Sequence, residues 1–228
     1  MTVITVSRQI GSGGDMIAAR VAEVLGYEYI DHRLIEEIAA LTDTSVEEVE
    51  KYDEKGEGRI KHFLKRLLVP EVNPGGFPLS SAAYFPEFGL EFPYMMDREN
   101  EPAATYLDRG TYQLLITTVV QEYGQAGKAV VVGRASQVIL AAHQQAMHIR
   151  VVAPFEHRRQ TIVEAREMDE ERAGNLCEEH DQWRELYLRN YHSIDWNDPL
   201  LYHLTINAQK VAIEEAVDLI VHYARQRS

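Results

Sequence analysis

A glycine-rich turn near the start of the chain has the residue types of a phosphate-binding loop. Residues 3–6 (VITV) predict a strand, residues 7–14 (SRQIGSGG) predict a turn, and from Asp15 the apolar spacing predicts a helix. Backbone N–H groups of such a turn and of the helix start point at an anion, which the helix dipole also favours. The alternative is a tight strand-to-helix connection without a ligand. We predict that the phosphate-binding residues are Gly11, Ser12, Gly13 and Gly14.

Charged side chains follow several of the predicted strands. Arg8 precedes the glycines, Arg134 follows an apolar run, and the stretch 155–192 carries several arginines among many carboxylates. A guanidinium group can hold two phosphate oxygens at once, which an ammonium group cannot. For each arginine the alternative is an ordinary surface ion pair. Asp31, after the second predicted strand, could bind a substrate group or cap the next helix.

The elements that must position these residues predict an α/β fold. Five apolar runs alternate with helical spacing, which predicts one five-stranded parallel sheet with helices on both faces, a three-layer arrangement. The runs are 3–6, 27–30, 128–132, 148–152 and 200–206. Ligands of such sheets bind at the carboxyl ends of the strands. The first, third and fourth strands deliver 7–14, 133–134 and 153–158 to that edge, so we expect a site there.

Composition limits the classes of partner. The chain has 228 residues with 23 basic and 36 acidic side chains, a net charge of −13. Such a surface repels a nucleic-acid backbone, whereas a small phosphorylated ligand needs only a local cluster of arginines. No stretch reaches the ~18 apolar residues of a membrane span. With the single Cys177, these features predict a soluble, cytoplasmic protein, and the histidines show no metal-binding spacing.

One stretch does not follow the strand–helix alternation. Within an insertion at about residues 43–105, residues 70–102 are rich in proline, and residues 77–94 hold six aromatic side chains. A long irregular segment in a compact domain is usually a functional cover or a partner surface. The expectations are a flap packed on the core, a cover over the site, or a homodimer interface.

Four segments together resemble the cytidylate kinase-like family, a branch of the P-loop nucleoside monophosphate kinases. They are ITVSRQIGSGGDMIAARVAEVLGYEYID, AVVVGRASQVIL, RVVAPFEHR and DWNDPLLYHLTINAQKVAIEEAVDLI. The resemblance implies a P-loop kinase fold as a single domain over 1–228, with an acceptor-binding insertion and a mobile lid at about 155–192. The implied reaction is transfer of the γ-phosphoryl group of ATP, with Mg²⁺, to CMP or a similar nucleotide. The implied site residues are Arg8, Arg158 and Arg184 for catalysis and Asp31 and Arg134 for the acceptor.

The glycine turn departs from the usual P-loop. Gly14 stands at the position of the phosphate-binding lysine, and Met16 at that of the metal-binding Ser or Thr. Asp15 suits a helix N-terminus but would repel a phosphate, where the branch is often basic. Another cation must then neutralise the transferring group, and Arg8 is the nearest candidate. The alternative hypothesis is a degenerate P-loop protein that binds a nucleotide or a protein partner without phosphoryl transfer.

Overall fold

The structure, a computed structural model, describes residues 2–31 and 109–227, with the side chains of 109–113 and 115 left out. The described residues of one compact unit are 2–31 and 120–227, and the first part of the helix that begins at Arg109 belongs to a second unit. The predicted insertion at 43–105, with its aromatic cluster and the homodimer interface expected there, lies outside the described residues.

Five parallel strands form one sheet, which confirms the predicted fold class. They are β1 (Val3–Arg8), β2 (Glu28–Ile30), β3 (Ala129–Val132), β4 (Ala146–Val152) and β5 (Leu204–Asn207). The order across the sheet is β2-β3-β1-β4-β5, so β1 lies at its centre. The described helices are α1 (Gly14–Leu25), α2 (Arg109–Ala126), α3 (Ser136–Ile139), α4 (Phe155–Arg166), α5 (Glu170–His192) and α6 (Ile213–Arg227), with a 3-10 turn at Pro199–Leu201. Nowhere in the described ranges is a helix both long enough and apolar enough to cross a membrane.

One face of the sheet carries the main hydrophobic core. The β-branched runs of the strands read as continuous apolar segments, as expected for strands buried in a parallel sheet. Ile4, Val6 and Ile149 pack there against α1 and α6, through side chains such as Ile17 and Ile220, all of them inaccessible to solvent. This packing fixes the start of α1 against the carboxyl end of β1, where the glycine turn lies.

The opposite face is more polar than the apolar runs alone predict. Thr5 and His148, from neighbouring strands, share a hydrogen bond of 2.8 Å between the Thr5 hydroxyl and His148 Nδ1. Closer to the carboxyl edge, the indole of Trp196 donates to Ser7 Oγ at 2.8 Å. Trp196 also packs with Leu188 of α5. These contacts attach α5 and the segment before β5 to the end of β1.

Two strand boundaries differ from the predictions. The predicted turn begins at Ser7, but β1 continues through Arg8 because Ser7 and Arg8 pair in register with Arg150 and Val151 of β4. The last strand was expected from residue 200, but 199–201 form a 3-10 turn that Asp198 caps by accepting from Leu200 N, and β5 starts at Leu204. The first difference matters for function, because it makes Arg8 part of a rigid strand.

Candidate active site

The glycine turn forms a compact cradle between β1 and α1. Gly11 and Gly13 have φ angles of 74° and 77°, in the left-handed region that favours glycine. Ser12 Oγ donates to Gln9 O at 2.7 Å, which closes the turn. The first helical bond of α1 runs from Ile17 N to Gly13 O, so the amides before Ile17 have no partner one turn back in the helix. This is the backbone arrangement that binds an anion at a helix N-terminus.

Arg8 lies across this turn. Its Nε contacts Asp15 Oδ1 at 2.8 Å, and only 13% of its side chain is exposed. A Cβ atom placed on Gly133, in the turn after β3, would lie 2.9 Å from Arg8 Nη1. The guanidinium group therefore lies beside the turns that follow β1 and β3. The alternative of a solvated arginine at a strand end is not what the structure shows.

Asp15 has a different role from either of those expected. No side chain caps the N-terminus of α1, and the Asp15 carboxylate accepts a hydrogen bond from Arg8. Although Asp15 lies in the first turn of α1, where the dipole favours an anion, its charge is neutralised by the neighbouring guanidinium group. The expected repulsion of a phosphate by Asp15 is correspondingly reduced.

Arg158 and Asp181 join α4 and α5 to the glycine turn. The Arg158 side chain is 5% exposed, and its Nη2 contacts Asp181 Oδ2 at 2.8 Å. Its Nε and Nη1 donate to the backbone oxygens of Ala153 (3.1 Å) and Ile10 (3.4 Å). A Cβ atom on Gly11 would lie 2.5 Å from Arg158 O, so the first turn of α4 packs directly on the glycines. Each guanidinium nitrogen of Arg158 thus already donates a hydrogen bond within the protein.

Arg184 lies next to the same carboxylate but is less fully bonded. Its Nη1 is 4.0 Å from Asp181 Oδ1. Within the described part of the chain, these two atoms are buried without a hydrogen-bond partner. Burial, followed by the positive charge of Arg8, lowers the pKa of Arg184 to about 9. A guanidinium group in this position gains from an anion that supplies an acceptor.

The site concentrates positive charge in an acidic protein. Arg8, Arg158 and Arg184 face two described carboxylates, those of Asp15 and Asp181. Burial lowers the pKa of the nearby His180 to about 3, and Arg184 contributes in the same direction, so this imidazole is neutral at pH 7. The excess of guanidinium groups over carboxylates is what a small anionic ligand requires.

The two residues expected on the acceptor side follow β2 and β3. Gly133, Arg134 and Ala135 all have positive φ, at 74°, 55° and 52°, and Ser136 N donates to Gly133 O. For residues other than glycine this backbone costs about 1–2 kcal/mol each, and such strain is common at functional sites. Asp31 lies directly after β2; burial raises the pKa of Tyr29 to about 12, with Asp15 and Asp31 adding to the effect.

The structure therefore brings Arg8, Arg158, Arg184 and the glycine turn into one cluster, and it places Arg134 one residue from the Gly133 that Arg8 contacts. It also adds residues that the sequence did not single out. Gln9 accepts from Ala153 N at 3.1 Å and donates to Asp181 Oδ2 at 3.4 Å. Neither Gln9 nor Asp181 belongs to a spacing pattern, and only the three-residue step from Asp181 to Arg184 could have indicated their pairing.

A buried arginine on β4 was also missed. Arg150 is 5% exposed and donates to Trp196 O and, at 2.7 Å, to Asn197 Oδ1. Its guanidinium carbon lies 4.7 Å from the centre of the Trp196 ring and 5.3 Å from that of Tyr202. The tryptophan in DWNDP could have indicated a packed turn, because a large aromatic side chain seldom lies in a loop without packing.

The described residues offer little to a divalent metal ion. In 2–31 and 109–227, no group of three or more His, Cys, Asp or Glu side chains is arranged to hold one. The two carboxylates nearest the glycine turn, Asp15 and Asp181, are each bonded to an arginine. Met16, at the position expected for a metal-binding hydroxyl, is 57% exposed and has no oxygen ligand. These residues do not fit a metal ion held by protein ligands.

Comparisons with known proteins agree with the fold. An uncharacterized protein from Eubacterium ventriosum ATCC 27560 superposes with a TM-score of 0.63 over 99% of both chains, at 17% identity. Shikimate kinases from Acinetobacter baumannii, in complex with shikimate, and from Bacteroides thetaiotaomicron give TM-scores of 0.47. The first has 14% identity over 100% of this chain and 95% of its own, and the second 11% over 98% of each. No curated protein matches this chain.

The sequence also matches a family description over most of its length. The model of the cytidylate kinase-like family matches residues 3–210, which include β1 to β5 and the whole of the arginine cluster. The chain is therefore a member of the cytidylate kinase-like family.

Proposed function

We propose that the chain is a phosphotransferase that moves the γ-phosphoryl group of ATP to CMP or another small acceptor. The observation that carries the proposal is the cluster of Arg8, Arg158 and Arg184 around the glycine turn, at the carboxyl edge of the sheet. Phosphoryl transfer depends mainly on positioning and on neutralising charge, and an arginine-rich site in a chain of net charge −13 suits that task. Membership of the family supports the same class of reaction.

The described residues divide the work in this proposal. The amides of the glycine turn hold the phosphates of the donor, and Arg8 and Arg184 neutralise the phosphoryl group as it moves. Arg158, whose guanidinium nitrogens bond to Ala153, Ile10 and Asp181, holds α4 and α5 over the turn. The stretch 155–192 then serves as the lid that excludes water.

The acceptor occupies the side of the site that follows β2 and β3. Arg134 holds a phosphate of the acceptor as a fork, and Asp31 accepts a hydrogen bond from one of its hydroxyl or amino groups. In this proposal residues 1–228 work as one domain, with the acceptor region completed from about 43–105.

Any Mg²⁺ in this reaction is carried by the nucleotide. Mg²⁺ commonly keeps several waters and binds through substrate phosphates with only one or two carboxylates. Because Asp15 and Asp181 are bonded to arginines, the described residues act on the phosphates and leave the ion to the phosphates and water. ATP and Mg²⁺ are accordingly the proposed co-substrate and ion.

A coupled assay of ADP release tests the proposal. The purified protein is mixed with ATP, Mg²⁺ and one acceptor at a time: CMP, dCMP, UMP and other small hydroxyl compounds. We expect turnover with at least one acceptor, and a loss of at least about 100-fold in kcat/KM for Arg184→Gln. Arg189→Gln is the control, because Arg189 lies on the same helix, is 60% exposed and pairs with Glu185.

Two results would contradict the proposal. ADP release that never exceeds the rate without acceptor, from a protein with a native circular dichroism spectrum, removes phosphoryl transfer. If calorimetry then shows ATP binding without dependence on Mg²⁺, the degenerate P-loop protein is the correct description. The exchange of lysine for Gly14 is the feature that favours this second function.

A further inference from the structure

Positions 8 and 14 of this chain cannot both carry a side chain. A Cβ atom placed on Gly14 would lie 2.5 Å from Arg8 Cβ and 3.0 Å from Arg8 Cγ. Real Cβ atoms do not approach other carbon atoms so closely, and Arg8 Cβ is fixed to the backbone of a central strand, so it cannot rotate away. The end of β1 and the start of α1 therefore leave room for one side chain between them.

The usual phosphate-binding loop has its side chain at the other position. Its pattern is Gly-x-x-x-x-Gly-Lys, in which the first glycine precedes the lysine by six residues. Arg8 precedes Gly14 by the same six residues, with Gly13 in the place of the second glycine. We propose that the cation and the glycine have exchanged places, so that Arg8 supplies from β1 the charge that a lysine supplies from α1. This inference rests on the proposed phosphate-binding function.

The position of the guanidinium group agrees with such a role. Arg8 Nε contacts Asp15, which leaves the two terminal nitrogens for a ligand, and Nη1 comes so close to Gly133 that any Cβ there would lie 2.9 Å away. The cation thus lies beside both the glycine turn and the turn that leads to Arg134. A group between donor and acceptor phosphates is well placed to neutralise the one being transferred. Asp15 holds the guanidinium group there, which a lysine at position 8 would not allow, because it lacks the Nε donor.

A cycle of three variants tests the exchange: Arg8→Gly, Gly14→Lys, and the two together. Thermal unfolding and calorimetric binding of sodium tripolyphosphate are measured for each, so that neither readout depends on catalysis. Arg8→Gly removes the cation, and we expect at least about tenfold weaker binding. Gly14→Lys places both side chains in one space, and we expect Tm to fall by about 5 °C or more. The double variant restores Gly-x-x-x-x-Gly-Lys, and it should recover binding to within about threefold of wild type.

Arg8→Gln keeps the Cβ and Cγ atoms that pack on Gly14 but removes the charge, so it remains informative if the double variant does not fold. We expect an unchanged Tm with at least about tenfold weaker binding, while the exposed Arg189→Gln binds as wild type does. A double variant that folds but binds as weakly as Arg8→Gly overturns the exchange. So does Gly14→Lys with wild-type stability, or Arg8→Gln with wild-type affinity.

The same measurements separate this inference from the proposed function. A wild-type protein that binds tripolyphosphate through Arg8 but releases no ADP with any acceptor contradicts phosphoryl transfer and supports the exchange. A protein that turns over while Arg8→Gln retains full binding and rate supports phosphoryl transfer and contradicts the exchange. A wild-type protein that binds neither tripolyphosphate nor ATP contradicts both.

Discussion

Replacing Asp181 by asparagine removes the negative charge between Arg158 and Arg184 and keeps the shape of the side chain. Breaking a buried ion pair by losing one partner typically costs about 3–5 kcal/mol. Asp181 is 26% exposed, its replacement keeps an acceptor oxygen, and Arg158 still donates to Ala153 O and Ile10 O. We therefore expect a loss of about 2 kcal/mol in the free energy of unfolding, which lowers Tm by about 4–8 °C in a chain of this size.

The loss should depend on the ligand. Without Asp181, the guanidinium groups of Arg158 and Arg184 repel one another, and an added polyanion takes over the role of the missing carboxylate. A ligand that binds only the folded state stabilises it by RT ln(1 + [L]/Kd), so tripolyphosphate should raise the Tm of the variant more than that of wild type. Differential scanning fluorimetry measures both, with sodium chloride added to equal ionic strength.

Glu185→Gln is the matched control on the same helix. Glu185 pairs with Arg189 at the surface, and exposed pairs contribute about 0–1 kcal/mol, so its Tm should stay near that of wild type. The interpretation of Asp181 is refuted if Asp181→Asn unfolds at the wild-type temperature. It is equally refuted if the Tm falls but tripolyphosphate raises it by the same amount in both proteins.

Three further predictions concern other parts of the site and the sheet. Arg134→Ala should lower kcat/KM by more than ~2 kcal/mol of transition-state binding if Arg134 clamps the acceptor phosphate, and an unchanged rate would exclude that role. Asp15→Asn should lower kcat about tenfold without weakening ATP binding, because it releases Arg8 from its position while removing a negative charge, and Asp15→Glu should restore part of the rate. Burial, with the charge of His203 as the next cause, lowers the pKa of His148 to about 4. Protonation of His148 therefore favours the unfolded chain: stability is complete above pH ~6.5 and falls by about 2 kcal/mol as the pH drops to 5. Urea unfolding at pH 7 and pH 5 checks this, and His148→Gln should reduce the difference by that amount.

The fold was predictable because its strands are buried on both faces. Runs such as 128–132 are apolar along their whole length, which is typical of a parallel sheet and needs no knowledge of the partner strands. The ends of the strands were less predictable. Ser7 and Arg8 are polar, and their inclusion in β1 depends on pairing with Arg150 and Val151, which are more than 140 residues away in sequence.

The candidate site was predictable only as a set of charged residues at one edge. The sequence indicates that arginines follow the strands, but not which of them are already bonded within the protein. Arg158 uses its nitrogens on Asp181, Ala153 and Ile10, whereas Arg184 keeps a buried nitrogen without a hydrogen-bond partner. This distinction depends on Asp181, which no motif singles out. It changes the two arginines from equivalent candidates into one that holds the structure and one that can contact a phosphate.

The interpretation of Asp15 shows most clearly what a linear pattern leaves out. Read along the chain, a carboxylate one residue after the glycines opposes an anion in the turn. In three dimensions it is the partner of Arg8, at 2.8 Å, and Arg8 occupies the space that a side chain at position 14 would need. The missing lysine, the added aspartate and the arginine on the strand are therefore one structural change rather than three separate departures. A loop that lacks its lysine can still present a cation to phosphate, provided that the helix begins with glycine and a carboxylate holds the guanidinium group in place.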